Sequence, residues 1–322
     1  MKRGLPHEPD PTSPQYAPWV TMAKALAHQH HHLVVFSVAD FDYRYLAENW
    51  FKAAAKAGMT NAIVYALDEE AHAYFVSKGV RSFDGSGNLA AWNQTRLQRH
   101  VQAAEAERHL AAAALAAGGL DVLLTDVTQV ILGDVTPMLA AVAKAPEGVD
   151  MAVGRGGCNG KPPTGCGPMF NLVFLRGNGA AEQRARAVAW QVAGVKKGLV
   201  DFYLRWWNGA HCILSGYGKL YSGSCNPRLE GGVLPQDVQN LTATHTVTVA
   251  LSCEGGVRFA LLPEAFYPVA PLYGPSGGPR PPSLLARSSK PAQRDRLRLD
   301  RYDEQDFVEL EKAMRADRLW FL

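Results

Sequence analysis

Short apolar runs, each ending at an acidic residue, set the tightest limit on what this chain can become. Leu33-Val34-Val35-Phe36-Ser37-Val38 runs into Ala39-Asp40, Asn61-Ala62-Ile63-Val64-Tyr65-Ala66-Leu67 into Asp68, and Val122-Leu123-Leu124 into Thr125-Asp126. Continuous apolar runs of this length read as strands buried on both faces of a parallel sheet. Helical patterns lie between them. Leu46, Trp50 and Ala54 form one stripe that stops at Gly58, and Asp68-Glu69-Glu70 supplies carboxylates suited to a first helical turn. Strand, helix, strand and helix in this order predict right-handed parallel crossovers and an α/β fold. Ligands of open α/β sheets bind outside the carboxyl ends of the strands, which makes Asp126 a candidate site residue; an ordinary turn aspartate is the alternative.

The rest of the chain extends this pattern. Gly85-Ser86-Gly87-Asn88 is expected to be a loop, and residues 91 to 117, rich in alanine, to form one long helix or two shorter ones. Arg96, Arg99 and Arg108 punctuate that stretch, where a charge is ordinarily on a solvated face. Thr136-Pro137 starts a further helix as an N-cap followed by proline. Asp150 to Gly154 reads as a strand, and a helix is expected from about Ala180 to Val195. The glycines and prolines between Gly154 and Gly167 predict a loop over or beside the site; their spacing fits neither a Rossmann fingerprint nor a P-loop. Residues 271 to 282 read as a Pro-rich linker, and 303 to 319 as an amphipathic helix with Phe307, Leu310 and Met314 on one face.

Leu123 to Asp134, Leu-Leu-Thr-Asp-Val-Thr-Gln-Val-Ile-Leu-Gly-Asp, resembles the segment around the Asp-x-Asp motif of nucleotide-diphospho-sugar transferases of the plant and algal glycosyltransferase family 77 type. Val64 to His72 is similar to that family's second strand and helix, Met169 to Arg176 to its Gly-Phe-Phe-Tyr-Val-Arg strand, and Arg258 to Pro268 to its late Leu-Leu-Pro strand. The resemblance covers roughly residues 33 to 270 and implies a GT-A-like single domain, mostly parallel, with helices on both faces. It implies a retaining glycosyltransferase that moves a sugar from a UDP-sugar donor to a glycan or glycoprotein acceptor. Ser37, Asp40 and Tyr43 at the first strand end, Arg108, and Asp126 with Thr128 are the donor-binding residues it points to. Asp126 is also the implied catalytic and metal-holding residue, for Mn2+ or Mg2+. Thr128 stands where the family has its second aspartate, so a neutral hydroxyl replaces a charged ligand and the metal site is weakened. The family's Asp-Gln pair has two imperfect counterparts, at Asp201 and at Gln236-Asp237, of which Asp237 is the catalytic candidate. The loss of the second carboxylate motivates an alternative, a catalytically weakened nucleotide-sugar-binding or scaffold protein derived from such an enzyme.

A net charge of +3 in 322 residues is too weak to mark a nucleic-acid binder, yet compatible with an anionic small molecule. No run reaches the length of a membrane span, and the N-terminus has no apolar signal core. The resemblance implies a Golgi lumenal place; the chain without an anchor reads as cytoplasmic otherwise. Five cysteines without a Cys-x-x-Cys pair argue against zinc; Cys158 and Cys166 either pair in an oxidising compartment or are small buried thiols. Residues 1 to 32 read as a Pro- and His-containing arm, with 1 to about 18 disordered or extended outside the core. His28, His30, His31 and His32, at the entry to the first strand, read as a solvated helix end, with a metal-binding cluster as the alternative. Residues 33 to 275 form the transferase-like domain, and 276 to 322 the linker and terminal helix.

Overall fold

The computed structural model describes residues 10–27, 32–93, 100–136, 139, 149–158, 166–178, 248–252, 258–262, 285–287, 311–312, 314–316 and 320–322. The expected helix at 180 to 195, the linker at 271 to 282, Asp201 and Asp237 lie outside these residues, as do His28, His30 and His31. Within them the apolar runs become strands. They are β1 (Leu33–Ala39), β2 (Ala62–Ala66), β3 (Ser82–Asp84), β4 (Asp121–Thr125), β5 (Gln129–Ile131), β6 (Met151–Cys158), β7 (Cys166–Leu175), β8 (Thr248–Ser252), β9 (Arg258–Leu262) and β10 (Leu285–Arg287). The helices are α1 (Ala17–Ala27), α2 (Arg44–Lys56), α3 (Glu69–Ser77), α4 (Ser86–Asn93) and α5 (His100–Ala117).

Among the described residues, eight strands form one sheet in the order β3-β2-β1-β4-β7-β6-β9-β8, and β5 pairs with β10 in a separate antiparallel ribbon. β1 pairs in parallel with β2 and β4, β2 with β3, and β6 with β9, while β7 runs against both β4 and β6. The sheet is thus mostly parallel, as the buried apolar runs require. Strand alternation sends side chains to two cores. Val34, Phe36, Ile63, Tyr65, Val122, Leu124, Val173 and Leu175 face α1 and α5, where Trp19, Leu110 and Leu115 meet them. Val35, Ala62, Val64, Leu123, Leu172 and Phe174 face α2 and α3, with Trp50 and Phe75. Helices therefore cover both faces.

Local chemistry explains the boundaries. Asp68 caps α3 by accepting from the amide of Ala71 at 2.6 Å, and Gly119 takes φ +81° to turn α5 into β4. At Gly85 an added Cβ would fall 2.0 Å from the Tyr65 ring, so only glycine lets the chain pass there before α4.

Four expectations meet a different outcome. The loop expected at 85 to 88 is instead the start of α4, and in the alanine-rich stretch α4 reaches Asn93 and α5 runs from His100, with 94–99 outside the described residues. Of the loop expected between Gly154 and Gly167, the residues up to Cys158 belong to β6 and those from Cys166 to β7, which pair antiparallel as far as Cys158 opposite Cys166 with register shifts on the way, while 159–165 lie outside the described residues. Tyr16 and Trp19 are fully buried in the first core, so the chain expected to lie outside it packs against the sheet from Pro14 onward. Pro14 at the start of a 3-10 turn and Pro18 in the first turn of α1 are positions where proline costs a helix nothing. Finally, β10 forms within the stretch assigned to the C-terminal linker and helix.

Candidate functional site

The carboxyl ends of the parallel strands define one edge, reached by Ala39 of β1, Ala66 of β2, Asp84 of β3 and Thr125 of β4. The chain leaves β1 for β2 and β3 on one side, then returns to β4 on the other. Divergence of the connections at β1 and β4 opens a crevice at such a switch point, the general ligand position of open α/β sheets. Ser37 is level with Thr125 across this junction, and its hydroxyl donates to the Thr125 carbonyl at 2.8 Å. Ser37 is fully buried, so its structural role is to bind the two strand ends together.

Asp126 follows immediately. Continuing the alternation of Val122 and Leu124 carries it toward α5, and Arg108 of α5 lies there, its Nη1 3.9 Å from Asp126 Oδ2. The side chains are 11% and 34% exposed respectively, so the cation is nearly enclosed while the carboxylate opens toward solvent. Asp126 Oδ1 accepts from the Thr128 amide and from the Thr128 hydroxyl, both at 2.9 Å, and the Gln129 amide donates to the Asp126 carbonyl at 2.9 Å. Thr128 therefore closes an Asx-type turn on Asp126. β5 follows at once and is tied to β10.

At the neighbouring strand end, Asp40 accepts from the Tyr43 amide at 3.2 Å and caps the 3-10 turn Phe41–Tyr43. Asp68 at the end of β2 reaches across to accept from the Phe41 amide at 2.9 Å, so the first and second strand ends are coupled. Arg44 stacks 4.0 Å over Phe41 and 4.4 Å over Tyr45, and its Nη1 donates to the Phe41 carbonyl. On the other side of β4, the β6-β7 hairpin pairs beyond the level of Thr125, which is opposite Leu172, and so stands beside the Asp126 turn.

Arg108 is buried, not on the solvated face that a helix charge ordinarily occupies, and it is flanked by two ionisable residues that sequence reasoning passed over. Glu107 is fully buried and accepts from Tyr16 Oη at 2.8 Å and Tyr65 Oη at 2.5 Å; Asn88 donates to Tyr65 Oη. Burial, then the Glu107 charge, pushes both tyrosines far above the ordinary phenol range. His109 is held down at about 3 by burial and by the neighbouring Arg108 charge, so it is a neutral imidazole at physiological pH. The available signal was the run Leu110 to Ala116, apolar all round, since a helix without a polar face buries whatever charges it carries.

Of the residues the sequence pointed to, the structure brings Arg108, Asp126 and Thr128 into one cluster, with Asp40 and Tyr43 on the adjacent strand end and Ser37 beneath. Among the described residues no group of three His, Cys, Asp or Glu converges to hold a metal ion, and no helix is long and apolar enough to cross a membrane.

No protein-family model matches the chain, and no curated protein matches it. Among solved structures it is similar to the bifunctional glycosyltransferase WbbM in its apo form, at 11% identity and TM-score 0.33, over 49% of this chain and 34% of that one. The glycosyltransferase GlyE of Streptococcus pneumoniae TIGR4 is similar at 16% identity and TM-score 0.32, over 51% and 38%. An active-site mutant of LgtC is similar at 12% identity and TM-score 0.37, over 88% and 99%. The chain thus spans about a third of the WbbM chain and nearly all of the LgtC chain.

Proposed function

We propose that the chain is a GT-A-like glycosyltransferase that binds a UDP-sugar in the crevice between β1 and β4 and transfers the sugar, with retention, to a hydroxyl of a glycan or glycoprotein. The observation that carries this reading is the pairing of Arg108 with Asp126 at the switch point of the sheet. A guanidinium that is always charged and presents a flat fork of donors suits phosphate oxygens, and a carboxylate at the adjacent turn suits ribose hydroxyls. Asp40 and Tyr43 border the same crevice and would meet the base and ribose. The acceptor side and the role of Asp237 belong to this proposal too, as does a Golgi lumenal place.

Transfer breaks the bond between the anomeric carbon and the β-phosphate oxygen and forms one to the acceptor oxygen, while the acceptor proton passes to the departing phosphate. Negative charge grows on that leaving oxygen. A fixed cation already aimed at it stabilises the transition state without reorganisation, and binding both substrates in one crevice removes the entropic cost of their encounter. The Mn2+ or Mg2+ that the family resemblance implies would neutralise the same oxygen. The described donors make a poor divalent site, however, because Asp126 is a single carboxylate whose Oδ1 is engaged twice by Thr128. No step is therefore assigned to a metal.

Thr128 in place of a second carboxylate favours a second reading, a nucleotide-sugar-binding protein that no longer turns over its donor. Release of UDP from a panel of UDP-sugars, with and without glycan acceptors, separates the two. Turnover above the rate of buffer alone, abolished in Asp126→Ala, supports the enzyme. UDP binding without turnover of any donor supports the second reading, and absence of both rejects a nucleotide-sugar site.

A further inference from the structure

We propose that Cys158 and Cys166 are a redox-reversible pair that clamps the ends of β6 and β7 beside the Asp126 turn. The pair closes to a disulfide by exchange with a low-molecular-weight disulfide such as oxidised glutathione, and reopens by exchange with the corresponding thiol. This clamp is independent of the nucleotide-sugar reading.

Register carries the proposal. Cys158, the last residue of β6, and Cys166, the first of β7, are partners across the antiparallel ladder. Directly opposed residues of such a pair have Cα atoms about 4.5 or 5.5 Å apart, according to whether they exchange backbone hydrogen bonds, and either spacing falls within the roughly 4.4–6.8 Å that a disulfide spans. A slip of one residue would put the two positions on opposite faces of the sheet. The two sequence positions alone leave open whether the cysteines meet, and the ladder places them opposite each other.

Composition explains why a covalent link belongs at this end. At the other end of the pair, Met151 opposes Leu175 and Ala152 opposes Phe174, all four in the buried core. Toward the cysteines come Gly154, Gly156, Gly157, Gly167 and Pro168, with register shifts between Val153 and Gly154 and between Arg155 and Cys158. Glycine loses the most freedom when it is fixed, and proline gives the ladder no N–H. A disulfide restrains the open chain and so favours the paired one. β7 runs against β4 with Leu172 opposite Thr125, so β7 continues to Cys166 beyond the strand end from which Asp126 emerges. In the closing step one cysteine thiolate attacks a sulfur of the glutathione disulfide and expels a glutathione thiolate. The second cysteine thiolate then attacks the protein sulfur of the mixed disulfide and expels the other. Two protein thiols give up two electrons and two protons, and the glutathione disulfide takes them up as two thiols.

The test equilibrates the full chain in glutathione buffers of graded oxidation, quenches with an alkylating reagent and maps the tryptic peptides. Lys161 precedes Pro162 and resists trypsin, which leaves both cysteines in one peptide from Gly156 to Arg176. The expected product is that peptide unalkylated and lighter by two hydrogen atoms, returned to two alkylatable thiols by dithiothreitol. Closure in the native chain should need about tenfold less glutathione disulfide, or lower still, than closure in the same chain unfolded in urea, because the ladder raises the effective concentration of one thiol at the other. Cys158→Ser and Cys166→Ser, each checked for folding by its thermal transition, should each lose the closed peptide. Both cysteines alkylated in every buffer overturns the proposal, as does either one bound to glutathione, to Cys212, Cys225 or Cys253, or to a second chain in place of its partner. Closure at the same glutathione ratio in the native and unfolded chain also overturns it, since the fold then does not bring the pair together. Should the serine variants fail to fold, the native and unfolded wild-type comparison still decides.

Discussion

His109 shows how one buried ring makes the whole fold sensitive to acid. Its imidazole falls from an ordinary value near 6.5 to about 3 because burial, and then the Arg108 charge, disfavour the protonated form. In the unfolded chain it protonates below 6.5, so between about 3 and 6.5 the unfolded state binds more protons and stability falls as pH falls. Denaturation midpoints at pH 6 and pH 4 should show the wild type losing on the order of 2 kcal/mol more than His109→Gln, which cannot titrate. Equal losses in the two proteins would mean that His109 is protonated in the fold. At this scale the sequence was legible where a residue's role is local. Asp126 was visible because a carboxylate ends an apolar run, and Asp68 because it precedes two glutamates. Burial of Glu107, Arg108 and His109 was not, since it depends on α1, α4 and the sheet closing around α5 from distant parts of the chain.

Elements were readable where pattern and propensity agree, as in β1, β2, β4, α2 and α3. They were misread where composition spoke against burial. The prolines before α1 suggested an exposed arm, yet Trp19 lies fully buried, edge-on to Phe36 at 5.5 Å and Tyr65 at 5.1 Å, with its Nε1 donating to the Ala111 carbonyl. Trp19→Ala should therefore cost about 3–5 kcal/mol by chemical denaturation, the usual range for a large aromatic lost from a core. A loss below about 1 kcal/mol would put α1 outside the cooperative unit. Glu107 extends the same fastening. Glu107→Ala leaves the Tyr16 and Tyr65 hydroxyls without their shared acceptor, a loss of roughly 2–5 kcal/mol, whereas Tyr16→Phe removes one donor and should cost about 1 kcal/mol. The extension of β6 and β7 past Gly154 was missed for another reason: its glycines argue for a loop, whereas pairing with neighbouring strands holds it extended.

Across the whole molecule, the C-terminal residues return to the face opposite α1. Met314 is fully buried in the second core, the Phe321 amide donates to Asn49 Oδ1 on α2, and Lys56 lies 5.0 Å over the Phe321 ring. β10 meanwhile pairs with β5, Arg287 opposite Gln129, directly after the Thr128 turn. The tail thus closes one core and braces the strand that follows Asp126. A chain ending at residue 275 would uncover the Met314 site and leave β5 without its partner. Its thermal midpoint should fall by roughly 5–15 °C, the shift expected when a few kcal/mol are removed from a domain of this size. The bracing makes a second and more local demand. The amides of Thr128 and Gln129, which donate to Asp126, should exchange hydrogen at least tenfold faster in the truncated chain, while those of β1 and β2 on the far side of β4 change in step with global stability alone. An unchanged midpoint with unchanged exchange at Thr128 would make residues 276 to 322 dispensable to both the core and the Asp126 turn. Faster exchange everywhere by one common factor would mean that it supports the core but not the Asp126 turn.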